Sequence, residues 1–246
     1  MKALLHTHSG LGDMICCYAI TVKLLEKYDE VYIPCKEKYS DSVGHLYKDL
    51  DNVFIMTIPD DTNNNINLEL EVVNNFAQTE NLEVVRIGFH RLQSPFHYKQ
   101  FFDQAGVEYF ESWDLFPDFT STENSKSLYE NLVPKNKEYA LLINENSYGK
   151  SDLKVETDLL KVTMHKTDLG AGIFDWIDVI VNASEIHSVG TGPFHFIDRI
   201  KKSRFKKDCK FYFHNVRDDF KTVYTELDWI LQEYEQTPYG YWRSNP

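Results

Sequence analysis

The feature that most constrains the fold is an alternation of strand and helix patterns that occurs twice along the chain. Short apolar runs typical of buried strands are each followed by a segment with apolar residues at helical spacing. The alternation fills the chain up to Gly106 and begins again at YALLIN, residues 139–144, after a polar stretch that contains Pro117 and Pro134. Strands that alternate with helices favour a parallel sheet with helices on both faces.

The sequence therefore predicts an α/β protein with two Rossmann-like domains and a ligand cleft between them. The predicted boundaries are 1–133 and 134–246, with a connector that begins at about residue 111. The final pattern, DFKTVYTELDWILQEYEQ, predicts a long closing helix that packs back on the first domain. Open α/β sheets bind ligands at the carboxyl ends of their strands, so the informative residues should follow strands.

The overall charge argues against binding to nucleic acid. The 246 residues carry a formal net charge of -12, whereas a protein that binds phosphate backbones generally needs a basic face. One basic run, RIKKSRFKKDCK at residues 199–210, departs from this composition. It is interpreted as a solvated helix end and loop, or alternatively as a patch that faces an anionic acceptor or a membrane surface.

The four cysteines show neither metal-ligand nor disulfide-framework spacing, which indicates a reduced, cytoplasmic protein. No signal peptide is recognised, because the apolar start MKALL continues directly into HTHSG. No apolar run approaches the roughly 18 residues of a transmembrane helix, so any membrane contact is expected to be peripheral.

The first informative strand end is SGLGD, residues 9–13. Gly10 and Gly12 resemble the start of a dinucleotide fingerprint, but Ile15 occupies the third glycine position and no acid closes the second strand. Asp13 would repel a pyrophosphate, whereas a helix N-terminus stabilises the charged form of a carboxylate. Asp13 is therefore either a functional carboxylate or a residue that caps its helix.

The second informative strand end is EIHSVGTGPFHFIDRI, residues 185–200. Gly190, Thr191 and Gly192 form a turn of small residues, and Pro193 is suited to the first helical position. Free backbone N–H groups at such a helix start bind anions. The alternatives are an ordinary turn between a strand and a helix, and a His195 that only packs in the core.

The third strand end is YALLINENSYGKSD, residues 139–152, where Lys150 could place an ammonium group on a phosphate or remain solvated. Taken together, the first domain offers a carboxylate and the second offers phosphate ligands. A base that faces a diphosphate leaving group across a cleft is the arrangement of a two-domain glycosyltransferase.

Two segments resemble glycosyltransferases of the heptosyltransferase-like GT-B type. MKALLHTHSGLGDMICCYAI resembles their first strand and Gly-Asp turn, and WIDVIVNASEIHSVGTGPFHFIDRI resembles their later helix, strand, small-residue turn and histidine-bearing helix. The segment YKQFFDQAGVEYFESWDLF is also similar to the acceptor-side region of small bacterial and viral members.

The resemblance implies transfer of a sugar from a nucleotide-sugar donor to a hydroxyl acceptor on a glycan, lipid or protein, with no metal or other cofactor. It implies an acceptor-side first domain, a donor-side second domain and Asp13 as general base. The implied donor-binding residues are Gly12, Lys150, Gly190, Thr191, Gly192 and His195. Gly190 replaces an acid found in many members of the family, and Tyr148 stands where an arginine is expected.

Two alternatives stay open at the sequence level. One is a nucleotide-sugar epimerase with the same fold, which needs no acceptor and releases free sugar. The other is a catalytically silent protein that binds a sugar or a nucleotide. His6 and His8 alternate along the first strand as two conceivable metal ligands, but no nearby cysteine or acid completes a set.

Overall fold

The chain folds into two compact α/β units. The computed structural model describes residues 1–60, 66–89, 97–146, 149–165, 172–216 and 225–234. The units comprise Met1–Pro117 and Asp118–Pro246. Each contains one parallel sheet with helices, which confirms the predicted mixed α/β architecture with two parallel sheets.

The first unit is built around a four-stranded parallel sheet with the order β3-β2-β1-β4. In chain order its elements are β1 (Lys2–His6), α1 (Leu11–Cys16), α2 (Tyr18–Leu25), β2 (Glu30–Lys36), α3 (Ser40–Leu46), β3 (Val53–Ile58), α4 (Ile66–Thr79), β4 (Glu83–Arg86), α5 (His97–Ala105) and α6 (Glu111–Asp114), with a 3-10 turn at Glu37–Tyr39. Almost every residue of β1 is buried, as expected for a central strand covered on both faces.

The second unit is built around a five-stranded parallel sheet with the order β11-β10-β9-β5-β8. Its elements are α7 (Glu123–Leu132), β5 (Tyr139–Ile143), β6 (Glu145–Asn146), β7 (Gly149–Lys150), β8 (Leu160–Thr163), α8 (Ile177–Val181), β9 (Glu185–Ser188), α9 (Gly192–Asp198), β10 (Lys210–Asn215) and β11 (Trp229–Glu233), with 3-10 turns at Ile173–Trp176 and Lys202–Arg204. Strands β6 and β7 form a separate antiparallel hairpin.

The two units divide earlier in the chain than the sequence suggested. The predicted boundary followed residue 133, but the compact units separate after Pro117. Helix α7, which lies within the predicted connector, packs against α8 and the 3-10 turn that precedes α8. The hydroxyls of Ser121 and Ser125 donate to the Asp178 carboxylate at 2.7 and 2.5 Å, and Phe119 stacks on Phe174 with ring centroids 4.3 Å apart. These contacts tie the connector to the second unit.

The predicted closing helix is wrong where the structure describes it. Residues Trp229–Glu233 form β11, which pairs in parallel with β10 from Phe211 to Asn215. The Trp229 ring lies 4.8 Å from Phe194 and 5.5 Å from Phe211. A short run that mixes apolar and polar residues fits both the helical period and the strand period of apolar residues. Pairing with the neighbouring strand β10 decided in favour of a strand. Residues 219–224 and 235–236 of the predicted helix lie outside the described ranges.

The helical pattern that follows the SGLGD turn forms two helices, α1 and α2, which are separated at Cys17. The hydrogen bonds continue through this position, since the Cys17 N–H donates to the Asp13 carbonyl at 2.9 Å. In the ranges described above, no helix combines the length and apolar character that crossing a bilayer requires.

Candidate active site

Asp13 occupies the first turn of α1, at the carboxyl end of the central strand β1. Its carboxylate folds back over the helix start towards Gly10 and accepts a hydrogen bond from the Tyr98 hydroxyl on α5. A Cβ at Gly10 would lie 2.6 Å from Asp13 Oδ2, so this close approach requires glycine. The Asp13 carboxylate therefore lies at the helix start and at the sheet edge where α/β proteins bind ligands.

The surroundings of the Asp13 carboxyl raise its pKa above the ordinary value. Burial raises the pKa of Asp13 to about 6, although the neighbouring His8 and the hydrogen bond from Tyr98 act in the opposite direction. A carboxylate with a pKa near neutrality is ionised at pH 7 and still has appreciable affinity for a proton. These are the properties that a general base needs.

His8 follows β1 and lies close to the Asp13 carboxylate. Its Nε2 donates to the Gly88 carbonyl at 2.8 Å, and its ring meets the edges of Phe89 and Phe101. Gly88 has a φ of +85°, and a Cβ there would lie 2.7 Å from the Phe101 ring. Glycine is thus required where the loop after β4 passes beside His8.

A buried ionic cluster lies next to this turn, and the sequence analysis did not find it. Glu69 of α4 accepts hydrogen bonds from His6 Nε2 at 3.1 Å, Ser9 Oγ at 2.6 Å and Lys36 Nζ at 2.6 Å. Arg86 Nε donates to His6 Nδ1 at 3.2 Å. A lysine that ends a buried strand, as in IPCK, was a visible signal for such a cluster. Its carboxylate partner sits 33 residues away in an amphipathic helix and had no local signature.

The conceivable metal site at His6 and His8 is not formed. The His6 nitrogens contact Glu69 and Arg86, and His8 Nε2 contacts a backbone carbonyl. Over the part of the chain that the structure describes, no group of three or more His, Cys, Asp or Glu side chains is arranged to hold a metal ion.

The turn between β9 and α9 lies in the second unit, at the carboxyl edge of its sheet. Gly190, Thr191 and Gly192 are partly exposed, and Thr191 precedes the first turn of α9 with an extended backbone and a hydroxyl that makes no capping bond. Pro193 takes the second helical position rather than the predicted first, because α9 begins at Gly192. The turn has the small, open form that the sequence predicted.

His195 and Lys150 lie in very different surroundings. His195 is 7% exposed, and its ring packs edge-on against Phe194 with centroids 5.1 Å apart. Lys150 is exposed and pairs in register with Glu145 across the β6–β7 hairpin. The turn residues and His195 thus share one helix start, whereas Lys150 belongs to a separate element. Ser147 and Tyr148 lie outside the described residues.

Asn144 is a further polar residue at this edge. It follows β5, whose last residue Ile143 pairs with Ser188 of β9. The Asn144 side-chain oxygen is buried and has no hydrogen-bond partner in the described chain. An unpaired buried carbonyl oxygen is rare and calls for an explanation. The register places it beside the Gly190 turn.

Three of the seven basic side chains in the run at residues 199–210 form ion pairs within the second unit. Lys202 pairs with Asp228, Arg204 with Asp118 at 2.6 Å, and Lys206 with Glu138. These pairs favour the interpretation of a solvated loop over that of a patch for an anionic surface.

No protein-family profile matches the sequence, and no curated protein matches it significantly. Two solved structures are similar to nearly the whole chain. One is the ADP-heptose lps heptosyltransferase II of E. coli, with a TM-score of 0.56, 10% identity and coverage of 94% of this chain and 90% of that chain. The other is a glycosyl transferase family 9 protein from Veillonella parvula, with a TM-score of 0.56, 12% identity and coverage of 95% and 86%. The chain therefore has the fold of these glycosyltransferases.

Proposed function

We propose that the protein is a glycosyltransferase that moves a sugar from a nucleotide-diphosphate sugar to a hydroxyl acceptor. The observation that carries the proposal is the Asp13 carboxylate, half-buried at the carboxyl end of β1 with a pKa of about 6. It stands on a fold similar to two solved glycosyltransferases. Fold alone does not determine activity, so the proposal rests on the residue and its surroundings.

In the proposed reaction, Asp13 accepts the proton of the acceptor hydroxyl while that oxygen bonds to the anomeric carbon of the donor. The bond between the anomeric carbon and the diphosphate breaks, and the nucleoside diphosphate leaves with the electron pair. A base placed within hydrogen-bond reach contributes roughly 10²- to 10⁴-fold to the rate.

We assign the donor diphosphate to the turn of Gly190, Thr191 and Gly192, with Lys150 as counter-charge and His195 behind the turn. Backbone N–H groups and a cation stabilise the negative charge that develops on a leaving diphosphate. Gly12 would keep the start of α1 open to the donor. In this proposal the reaction needs no metal ion, and the enzyme works in the cytoplasm.

The first experiment measures binding. The protein is heated with UDP, GDP, ADP, CMP and their sugars, with and without EDTA, and the unfolding temperature is recorded. A ligand at 100 times its Kd adds about 2.7 kcal/mol to the stability. A shift with one nucleoside diphosphate that EDTA leaves unchanged supports a metal-independent donor site. No shift with any of these nucleotides would count against the proposal.

The second experiment tests the base. Asp13→Asn should keep the donor Kd within about threefold and lower turnover by at least about 10²-fold. In the wild type, turnover should rise with pH through about 6 and then level off, because the base must be ionised. The assay follows release of nucleoside diphosphate and separates transfer to an acceptor from release of free sugar.

A matched control is Asp41→Asn, since Asp41 is an exposed acid in the first turn of α3. It should change neither binding nor turnover. Loss of donor binding in Asp13→Asn to the same extent as turnover would contradict the assignment of the base. Release of free sugar without an acceptor would favour the epimerase alternative.

A further inference from the structure

A second carboxylate, that of Glu69 on the distant helix α4, accepts a hydrogen bond from the turn that leads to Asp13. Glu69 is 5% exposed and reaches from α4 to the carboxyl ends of β1 and β2. Its Oε1 accepts from Ser9 Oγ at 2.6 Å and its Oε2 accepts from Lys36 Nζ at 2.6 Å. Ser9 immediately precedes Gly10, which lies so close to the Asp13 carboxylate that a Cβ at Gly10 would be 2.6 Å from Asp13 Oδ2.

The direction of every hydrogen bond in this cluster is fixed by its chemistry. The guanidinium of Arg86 can only donate, so His6 Nδ1 accepts and the imidazole proton lies on Nε2. His6 Nε2 then donates to Glu69 Oε1 at 3.1 Å. Three donors therefore converge on Glu69, which must be ionised to accept from all of them.

The cluster is poorly explained as a device for stability alone. Lys36 is 2% exposed, and a buried ion pair commonly contributes no more than apolar residues of the same size. Such pairs are better attested where they fix one conformation among several. The conformation available to be fixed here is that of the turn from Thr7 to Gly10.

We propose that Glu69 is a positioning residue for Asp13, and that it acts through Ser9. The Glu69 carboxylate holds one side of the turn at Ser9, and the Asp13 carboxylate lies against the other side at Gly10. The turn thereby keeps the Asp13 carboxylate folded against Tyr98 and away from bulk water. The link to catalysis rests on the proposed function of Asp13. The link to the geometry of Asp13 does not.

The sharpest variant is Ser9→Ala, because it cuts the connection to the turn and leaves the pair of Glu69 and Lys36 intact. The full-length protein is labelled with ¹³C at the aspartate carboxyls, and the Asp13 signal is identified by its loss in Asp13→Asn. We expect the Asp13 titration midpoint to fall in Ser9→Ala by about one pH unit, a tenfold change in proton affinity. Ser9→Thr, which keeps the hydroxyl, should restore it.

Two further variants make the test specific. Lys36→Met combined with Glu69→Leu removes both buried charges together and should lower the Asp13 midpoint as Ser9→Ala does. Ser40→Ala removes a hydroxyl that donates to the Glu37 carbonyl at 2.7 Å on the same unit, and should leave the Asp13 midpoint unchanged. A folded Ser9→Ala protein with the wild-type midpoint would overturn the proposal.

Activity supplies a second, separable measurement. If transfer is found, Ser9→Ala should lower kcat roughly 10- to 100-fold with the donor KM unchanged, because misplacement of a reacting group acts on the chemical step. An unchanged kcat would overturn the positioning role. A protein with no transferase activity whose Asp13 midpoint still responds to Ser9→Ala would retain the positioning role and refute the proposed function.

Discussion

In the first unit the buried polar network carries full charges, whereas the network on the sheet of the second unit consists mainly of hydrogen-bonded neutral rings. The Lys154 N–H donates to Tyr234 Oη at 2.8 Å, and the Tyr234 hydroxyl lies 2.7 Å from His214 Nδ1. His214 Nε2 lies 3.0 Å from His187 Nδ1, and His187 Nε2 lies 3.4 Å from Glu185. The Glu185 carboxylate can only accept, so His187 Nε2 donates to it and the Nδ1 of the neutral His187 ring accepts from His214 Nε2. The Nδ1 of the neutral His214 ring then accepts from the Tyr234 hydroxyl, and the chain of donors runs in one direction to Glu185.

The two networks differ in the charge state that their buried groups adopt. Burial alone would raise the pKa of Glu69, but the hydrogen bonds from His6, Lys36 and Ser9 outweigh it and lower that pKa to about 2. Burial lowers the pKa of His214 to about 4, assisted by His187, and also lowers the pKa of His187. Burial thus selects the neutral form unless enough donors converge on the charge.

The largest expected effect comes from breaking the charged network. Lys36→Ala removes the cation from the buried Glu69 carboxylate and should lower the free energy of unfolding at pH 7 by about 3–5 kcal/mol. Urea titration of the full chain measures this difference.

A control for this prediction is Lys23→Ala, since Lys23 pairs with Glu26 and Glu111 near the surface. Its loss should be below about 1 kcal/mol. Equal losses of stability in the two variants would show that the buried pair of Lys36 and Glu69 matters no more to stability than the exposed pairs of Lys23. Lys36→Met with Glu69→Leu should be more stable than Lys36→Ala.

The next effect tests the neutral network through pH. A histidine whose folded pKa is lowered stabilises the fold fully above its unfolded pKa of about 6.5, and this stability is lost as pH falls toward the folded value. For His214 the loss between pH 6.5 and 4 should reach about 3 kcal/mol. Urea titrations at several pH values measure the slope.

His214→Gln should flatten this slope, because the substituted side chain does not titrate. His45→Gln, in α3 of the first unit, should preserve it. A slope that is the same in the wild type and in His214→Gln would exclude His214 as the source of the acid sensitivity.

The smallest effect is expected for the exposed pairs of the basic run. Lys202→Ala and Lys206→Ala should each change the free energy of unfolding by less than about 1 kcal/mol, since solvent screens both pairs. The difference from wild type should shrink further in 1 M NaCl. A loss of more than about 2 kcal/mol would mean that charge stabilises this surface as strongly as it stabilises the first-unit network.

The strands and helices were largely predictable because their patterns are local. The apolar run of β1, the helix stop at Gly106 and the Thr122 cap of α7 all act within a few residues. Predictions failed where distant contacts decide. The segment Trp229–Glu233 became a strand through pairing with β10, and α7 joined the second unit through its contacts with α8.

The candidate site divides in the same way. Gly10, Asp13 and the Gly190 turn were found from sequence, because a strand end followed by small residues is a local pattern. The roles proposed for them stay predictions. Glu69, Ser9 and Lys36 were missed as a cluster, since their contacts join β1, β2 and α4 across up to 63 residues of the intervening chain.

The sequence by itself determined two successive α/β units and an acid at the first strand end, because hydrophobic periodicity and turn chemistry are written in neighbouring residues. Only the tertiary structure decided the acidity of that acid and the partners of the buried charges. Both depend on which distant side chains exclude water and which donate hydrogen bonds. Those distances are set when the sheets and helices pack.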